Sequence, residues 1–262
     1  MSASDTTIRW KLLVEYDGSD YAGWQKQDGE PTIQASLEAA IKLFCGQDLT
    51  VHGAGRTDSG VHAFGQIAHV DLDYGGRALT GHDFAKAINA HLKDQRIAVL
   101  HAAPAEEGFH ARFTAKNKLY HYRIIQRSSR PALERGYAWH LRKPLDLEAM
   151  RRAIVHFIGY HDFTTFRDSR CQAKSPMRSI NRAEIHATTS NNYGGTEYVF
   201  EFEGKSFLHH QVRNMVGTLS LVGLGKWAPD DVKTALEAKD RTKGGPTAPA
   251  EGLYMVRVDY GE

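Results

Sequence analysis

The chain predicts an α+β protein of two lobes, each built on an antiparallel sheet with helices on one face. Three observations lead there: strand-like and helix-like segments recur in the order βαββαβ, they do so twice, and the helical segments are amphipathic. In the first half, Arg9–Tyr16 reads as a strand. Thr32–Phe44 then reads as a helix, with Ile33, Leu37, Ala40, Ile41 and Phe44 on one face. A short strand-like stretch, Val51–Ala54, precedes a tight loop, and Gln66–Leu72 leads out of it as a strand. A second helix across Asp83–Leu92 keeps Phe84, Ile88 and Leu92 in register, and Ile97–Leu100 closes the half as a strand.

The second half opens with Leu119–Ile125, which alternates as a strand should. Asp146 is an N-cap residue for a helix whose stripe is Leu147, Met150, Ile154 and Phe157. Strands follow at Ser179–His186 and Glu197–Glu203, separated by an Asn- and Gly-rich loop over Thr188–Gly195. A long helix is expected over Leu208–Gly223, with His209 and His210 on it, then a short one after Pro229-Asp230. Leu253–Val258 ends the chain as a strand. These are two split βαβ units of the ferredoxin-like type. The expected division is 1–107 and 108–262, with a central cleft over the open sheet faces.

Composition narrows the function. The 262 residues carry 33 basic and 31 acidic side chains, a net of +2, and 41% are hydrophobic. That near-neutral total hides an asymmetry: between His110 and Lys143 nine Lys or Arg face one acid, Glu134. Arg167, Arg170, Lys174, Arg178 and Arg182 form a second cluster. Localised basic patches on a neutral chain point to a polyanionic partner, although either patch alone is equally a solvated face. Cys45 and Cys171 are the only cysteines and lack CxxC spacing, so a reduced, cytoplasmic protein is expected. The first seven residues do not resemble a signal peptide, and no apolar run reaches membrane-spanning length.

The candidate chemistry centres on Gly55-Arg56-Thr57-Asp58-Ser59-Gly60-Val61-His62-Ala63. It places a carboxylate, Asp58, on a glycine-bracketed turn between strands, two residues after the guanidinium of Arg56. Asp-Ser-Gly alone is an ordinary turn tripeptide. Tyr120 and Tyr122 share one face of a strand flanked by Lys118 and Arg123, which suits either a core position or a platform for a nucleobase. Arg213 lies at the margin of the stripe Val212, Met215, Leu219 and Val222; it is either a surface residue or the partner of a carboxylate, for which Asp58 is one candidate. Fourteen histidines raise the question of a metal, but HExxH, zinc-deaminase, Walker A and GxGxxG patterns are all missing. Neither a metal nor a cofactor is expected. Gly244-Gly245-Pro246 reads as a loop.

The nine-residue string resembles the signature of the tRNA pseudouridine synthase A family. Further blocks are similar to that family's and stand in its order, among them Trp24-Gln25-Lys26-Gln27, Phe109-His110-Ala111-Arg112, Lys118-Leu119-Tyr120-His121-Tyr122, Val212-Arg213-Asn214 and Glu251-Gly252-Leu253-Tyr254. The resemblance spans nearly the whole chain. It implies an isomerase that converts uridines 38, 39 and 40 of the tRNA anticodon stem-loop to pseudouridine, without cofactor or metal, as a homodimer. It implies Asp58 as the catalytic carboxylate, Tyr120 packed on the target base, Arg213 paired with Asp58, and Arg56 holding the base out of its stack. The alternative is a non-catalytic RNA-binding protein with two α+β lobes; the RNP-type aromatic pattern it would need is missing.

Overall fold

The computed structural model describes residues 6–189 and 194–261. In chain order the elements are β1 (Thr7–Tyr16), α1 (Ile33–Cys45), β2 (His52–Gly53), β3 (His62–Asp73), α2 (Gly81–Leu92) and β4 (Ile97–Pro104). After these come β5 (Asn117–Gln126), β6 (Trp139–Leu141), α3 (Leu147–Ile154), β7 (Gly159–Asp162), β8 (Met177–Thr189) and β9 (Thr196–Gly204). The last are α4 (Gln211–Gly223), α5 (Pro229–Ala238) and β10 (Leu253–Asp259), with short 3-10 turns between elements. This is an α+β fold with mostly antiparallel sheet and five α-helices among the described residues. Two compact units divide it: residues 1–116 with 255–262, and residues 117–254.

In the first unit the strand order is β4-β1-β3-β10, with β2 on β3. β1 runs antiparallel to both β3 and β4. Alternation decides which face is buried. Trp10, Leu12 and Val14 stand opposite Val70, Ala68 and Gln66, and all are buried. The apolar stripes of α1 and α2 supply Ile33, Leu37 and Ile41, and Phe84 and Ile88, to the same core; Trp10 meets Phe84 edge-on at 5.0 Å. Thr32 caps α1 by accepting from the Ala35 N–H, and Gly46 ends it in the left-handed region at φ 75°. The opposite face is polar at its rim, where Arg9 makes two 2.7 Å bonds to the Asp71 carboxylate.

In the second unit β5-β9-β8-β7 follow one another in antiparallel register, and β6 adds a parallel pair on β5. Tyr198, Phe200 and Phe202 of β9 are buried together with Tyr122 and Ile124 of β5 and Ile180 and Ile185 of β8. Phe157 and Phe166 complete this aromatic core, 5.0 Å apart and edge-on. The intervening residues of the same strands, among them His121, Arg182, Glu184, Glu201 and Glu203, form a polar face. Asp146 does cap α3, accepting from the Ala149 N–H at 2.9 Å. The predicted stripe is split: α3 ends at Ile154 and Phe157 sits in the 3-10 turn after it. Part of the loop expected over Thr188–Gly195, residues 190–193, lies outside the described residues.

The long helix begins later than expected. Its first residue is Gln211, because His210 adopts φ 62° and breaks the helical path just before it. From there α4 is buried on most of its surface, and one side accepts only backbone. A Cβ on Gly217 would come within 1.7 Å of the Pro246 carbonyl oxygen, and one on Gly245 within 2.7 Å of Thr218 Cα. The segment 244–248 is zipped to the helix: Gly245 N–H donates to Thr218 Oγ1 at 2.9 Å, and Ala248 N–H to the Arg213 carbonyl at 3.1 Å. Gly217→Ala therefore destabilises the protein by about 3 kcal/mol or more, because both partners at the contact are backbone and neither can rotate away. Urea unfolding checks this; a loss below about 1 kcal/mol would show that the contact yields.

Candidate active site

The Asp58 turn is held from three sides by contacts to main chain or buried side chains. Tyr16, at the end of β1, shares a 2.8 Å hydrogen bond with Thr57 Oγ1 in the core. Burial pushes the Tyr16 phenol up to about 12, so it stays a neutral hydroxyl that fixes its neighbour. Trp24 N–H donates to the Thr57 carbonyl at 3.0 Å, and Ser59 Oγ donates to the Tyr21 carbonyl at 3.1 Å. Gln66 of β3 reaches back to the Gly55 carbonyl at 2.9 Å.

Inside the turn Val61 N–H donates to the Asp58 carbonyl at 3.2 Å, and Gly60 takes φ 76°. Thr57 is buried, Asp58 half-buried and Arg56 exposed. Gly18 and Gly23 permit the approach: a Cβ on Gly18 would lie 2.1 Å from the Val61 carbonyl oxygen, and one on Gly23 2.6 Å from that of Thr57. A carboxylate whose backbone is fixed on both sides is pre-placed for chemistry.

Beside this loop β2 stacks His52 on His69, with ring centroids 4.9 Å apart, and His110 meets His69 at 4.6 Å. Ala111 N–H donates to His69 Nδ1 at 3.2 Å. Burial first, then the neighbouring Arg9, His110 and His52, lower the His69 imidazole to about 4, so it remains neutral near pH 7. His62 is buried and accepts from the Gly18 N–H at 3.1 Å. These histidines serve as hydrogen-bonded and stacked parts of the first unit.

The second unit holds the other two candidates. Tyr120 is 7% exposed and meets Phe207 edge-on at 5.0 Å. Tyr122, on the same face, is wholly core: its hydroxyl donates to the Pro249 carbonyl at 2.7 Å and its ring closes over Gly252. The platform reading thus narrows to Tyr120. Arg213 is half-buried and its Nε donates to the Ala248 carbonyl at 2.8 Å, which aims the guanidinium through the 244–248 segment. Arg56 and Asp58 belong to the first unit, Tyr120 and Arg213 to the second.

Sequence reasoning missed one group here. Asp168 lies on the loop after the 3-10 turn Thr164–Phe166, and its Oδ2 sits 2.6 Å from His210 Nδ1. Its N–H donates to the His209 carbonyl at 2.9 Å. Burial favours the protonated carboxyl, but hydrogen bonds from the Arg170 N–H and guanidinium outweigh it and hold Asp168 below the usual carboxylate range. A left-handed non-glycine residue locked to a carboxylate is the kind of strain that collects at functional sites. Its only sequence signal was the His209-His210 pair preceding an apolar helix.

The basic clusters separate into two populations. Arg123 is spent on Glu134 at 3.0 Å and Glu197 at 2.7 Å, and Arg182 on glutamates of its own sheet. Arg112, Lys116, Arg130, Arg135, Arg142, Lys143 and Lys174 are exposed. Only the second population is free in position to meet a polyanion. No helix among the described residues is long and apolar enough to cross a membrane.

A carboxylate on a clamped turn and exposed basic side chains suit an enzyme that acts on a polyanion. Residues 12–114 and 153–261 match the family model described as tRNA pseudouridine synthase. A protein named tRNA pseudouridine synthase A from Caulobacter vibrioides is 52% identical over 97% of this chain and 99% of its own. Proteins of the same name from Rhodospirillum rubrum and Rhizobium meliloti are 50% and 47% identical, covering 97% and 96% of this chain and 88% and 99% of theirs. A solved structure from Galdieria sulphuraria, described as an unknown protein, aligns over 97% of this chain and 96% of that one at 11% identity with a TM-score of 0.23, too low to bear on the fold. The chain belongs to the tRNA pseudouridine synthase A family and has its isomerase activity. That excludes the non-catalytic RNA-binding alternative.

The clamp on the turn is testable. Gly23→Ala forces a methyl against the Thr57 carbonyl and displaces the turn. It is expected to lower kcat about 100-fold, the cost of a misplacement on the order of 1 Å, with a small change in KM for tRNA. Gly29→Ala is the control: Gly29 also has positive φ, 77°, but a Cβ there meets nothing within 4 Å. It is expected to lose about 1 kcal/mol of stability and keep kcat. Equal kcat losses in the two variants would refute the clamp.

Proposed function

We propose that this chain converts uridines 38, 39 and 40 of the tRNA anticodon stem-loop to pseudouridine, with Asp58 as the catalytic carboxylate. The observation that carries the reading is the backbone clamp on the Asp58 turn, which positions one half-buried acid within the family's signature string. The proposal includes two lobes, 1–107 and 108–262, that meet in a central cleft where Asp58, Arg56, Tyr120 and Arg213 converge. It also includes a cytoplasmic homodimer in which one tRNA touches both subunits.

The reaction breaks the C1′–N1 bond, turns the uracil and joins C5 to C1′; C5 loses its proton and N1 gains one, so there is no net oxidation or reduction. An ionised Asp58 supplies the needed group, as nucleophile toward C1′ or the base, or as the base that removes the sugar proton next to C1′ as uracil is eliminated. Arg213 pairs with Asp58 and favours its charged form. The target uridine leaves its stack at a cost of a few kcal/mol. Tyr120 offsets part of that cost by packing on the base, and Arg56 occupies the space the base left. The exposed lysines and arginines supply phosphate contacts. Detached uracil must not escape before it is rejoined, which the nearly buried setting of Tyr120 serves.

Asp58→Asn is expected to abolish pseudouridine formation on unmodified tRNA, read by chemical mapping, while tRNA affinity stays within a few-fold. Retained turnover would remove the core of the mechanism. Tyr120→Phe is expected to keep the packed ring and most of kcat, whereas Tyr120→Ala loses about 1–3 kcal/mol of base stacking. Equal loss in both variants would assign the role to the hydroxyl instead.

A further inference from the structure

The polar face of the second unit's sheet holds a cluster that the isomerisation does not use. Register lines up Glu184 of β8, Glu201 of β9 and His121 of β5 side by side across three strands. His186, two residues along β8, points to the same face. His121 Nε2 lies 3.2 Å from Glu201 Oε1. His186 Nε2 lies 3.7 Å from that same oxygen and 3.5 Å from Glu184 Oε2. One donor atom from each of Glu184, His186 and Glu201 falls within 4.8 Å of the others.

Three features separate this cluster from an ordinary cross-strand ion pair. First, His121 Nε2 is buried and makes no hydrogen bond, although a carboxylate oxygen stands beside it. That ring nitrogen is left open to a further partner, which a cation held between the imidazole and the carboxylates would supply. Second, the spacings fit a shared ion. Tetrahedral bonds of about 2.0 Å put neighbouring ligand atoms about 3.3 Å apart, close to all three measured separations.

Third, the Glu201 carboxylate is already oriented from behind. Arg182 Nη1 binds Glu201 Oε2 at 3.1 Å and approaches Glu184 Oε2 at 3.6 Å, while its Nε takes Glu203 at 3.2 Å. This leaves Glu201 Oε1 facing the imidazoles. Such outer partners fix the direction of metal-binding carboxylates. Three glutamates sharing one guanidinium also leave negative charge uncompensated.

We propose that Glu184, His186 and Glu201 bind a divalent transition-metal ion of the zinc type on the polar face of this sheet, with His121 turning in beside Glu201 as the fourth ligand. The donor set, two imidazoles and two carboxylates, suits zinc and disfavours magnesium, which prefers carboxylates and water. The ion fastens β5, β9 and β8 to one another. Tyr120 is the residue next to His121 on β5 and points to the other face, so the ion steadies the strand that carries it. No motif announces the site, because its ligands come from three strands without fixed spacing. It therefore lay outside the sequence expectation of a metal-free protein.

The test uses the full chain stripped with a chelator and titrated with zinc by calorimetry, and with cobalt by visible absorption. One saturable site with a micromolar or tighter Kd is expected, along with the intense visible bands of four-coordinate cobalt and no competition from magnesium. His186→Ala removes a ligand from a side chain that is 56% exposed, so folding is spared. That variant and His121→Asn are each expected to weaken zinc at least about tenfold. The proposal is overturned by absence of saturation below about 1 mM zinc. Equal affinity in both variants and the parent chain also overturns it.

Discussion

Much of this molecule depends on how closely main chain can approach main chain around the Asp58 turn. Gly18 and Gly23 leave no room for a side chain against Val61 and Thr57, and Gly53 leaves none against the Trp24 ring. Around these contacts Tyr16, Trp24 and Gln66 bond to the loop backbone or to Thr57. Each bond alone is worth about 1 kcal/mol. Together they remove the freedom that a polar, glycine-containing loop would otherwise have. The backbone that carries the half-buried Asp58 is thereby fixed in place.

The second unit uses the same device for a different end. Gly217 and Gly245 let the 244–248 segment lie directly on α4, and hydrogen bonds from the Gly245 N–H to Thr218 and from Arg213 Nε to the Ala248 carbonyl sew the two together. Arg213 is thereby anchored through its Nε and its own carbonyl. A long arginine tethered in this way loses most of its rotamer entropy on folding rather than on catalysis. Tyr122, closed over Gly252, anchors β5 similarly.

Local pattern made the main elements legible. Strand alternation and helix stripes placed β1, α1, α2, β5, β9, α5 and β10 within a few residues, because the period of burial is written into each segment. The cap Asp146 was legible from its residue type just ahead of an apolar stripe, whereas Thr32 read as the first helical residue and is the cap. What escaped was non-local. β6 and β7 are three and four residues long and exist through pairing with β5 and β8. The start of α4 was misplaced because His210 is bent into a left-handed conformation beside Asp168, a residue far away in sequence. The basic clusters were visible as composition, but composition could not say that Arg123 and Arg182 are neutralised within the sheet while Arg112 and Lys143 face outward.

Strand β9 shows why site residues are harder to read than folds. Its alternation predicts a half-buried strand, and the structure puts Tyr198, Phe200 and Phe202 in the core. The same alternation sends Glu197, Glu201 and Glu203 to the other face, where each meets a different partner: Arg123, His121 with Arg182, and Asn117 with Arg182. Nothing in the repeat distinguishes the three glutamates. Register with β5 and β8 does, since it decides which cation or imidazole stands opposite. The period of a strand thus fixes which side chains are available, and pairing fixes what they are available for.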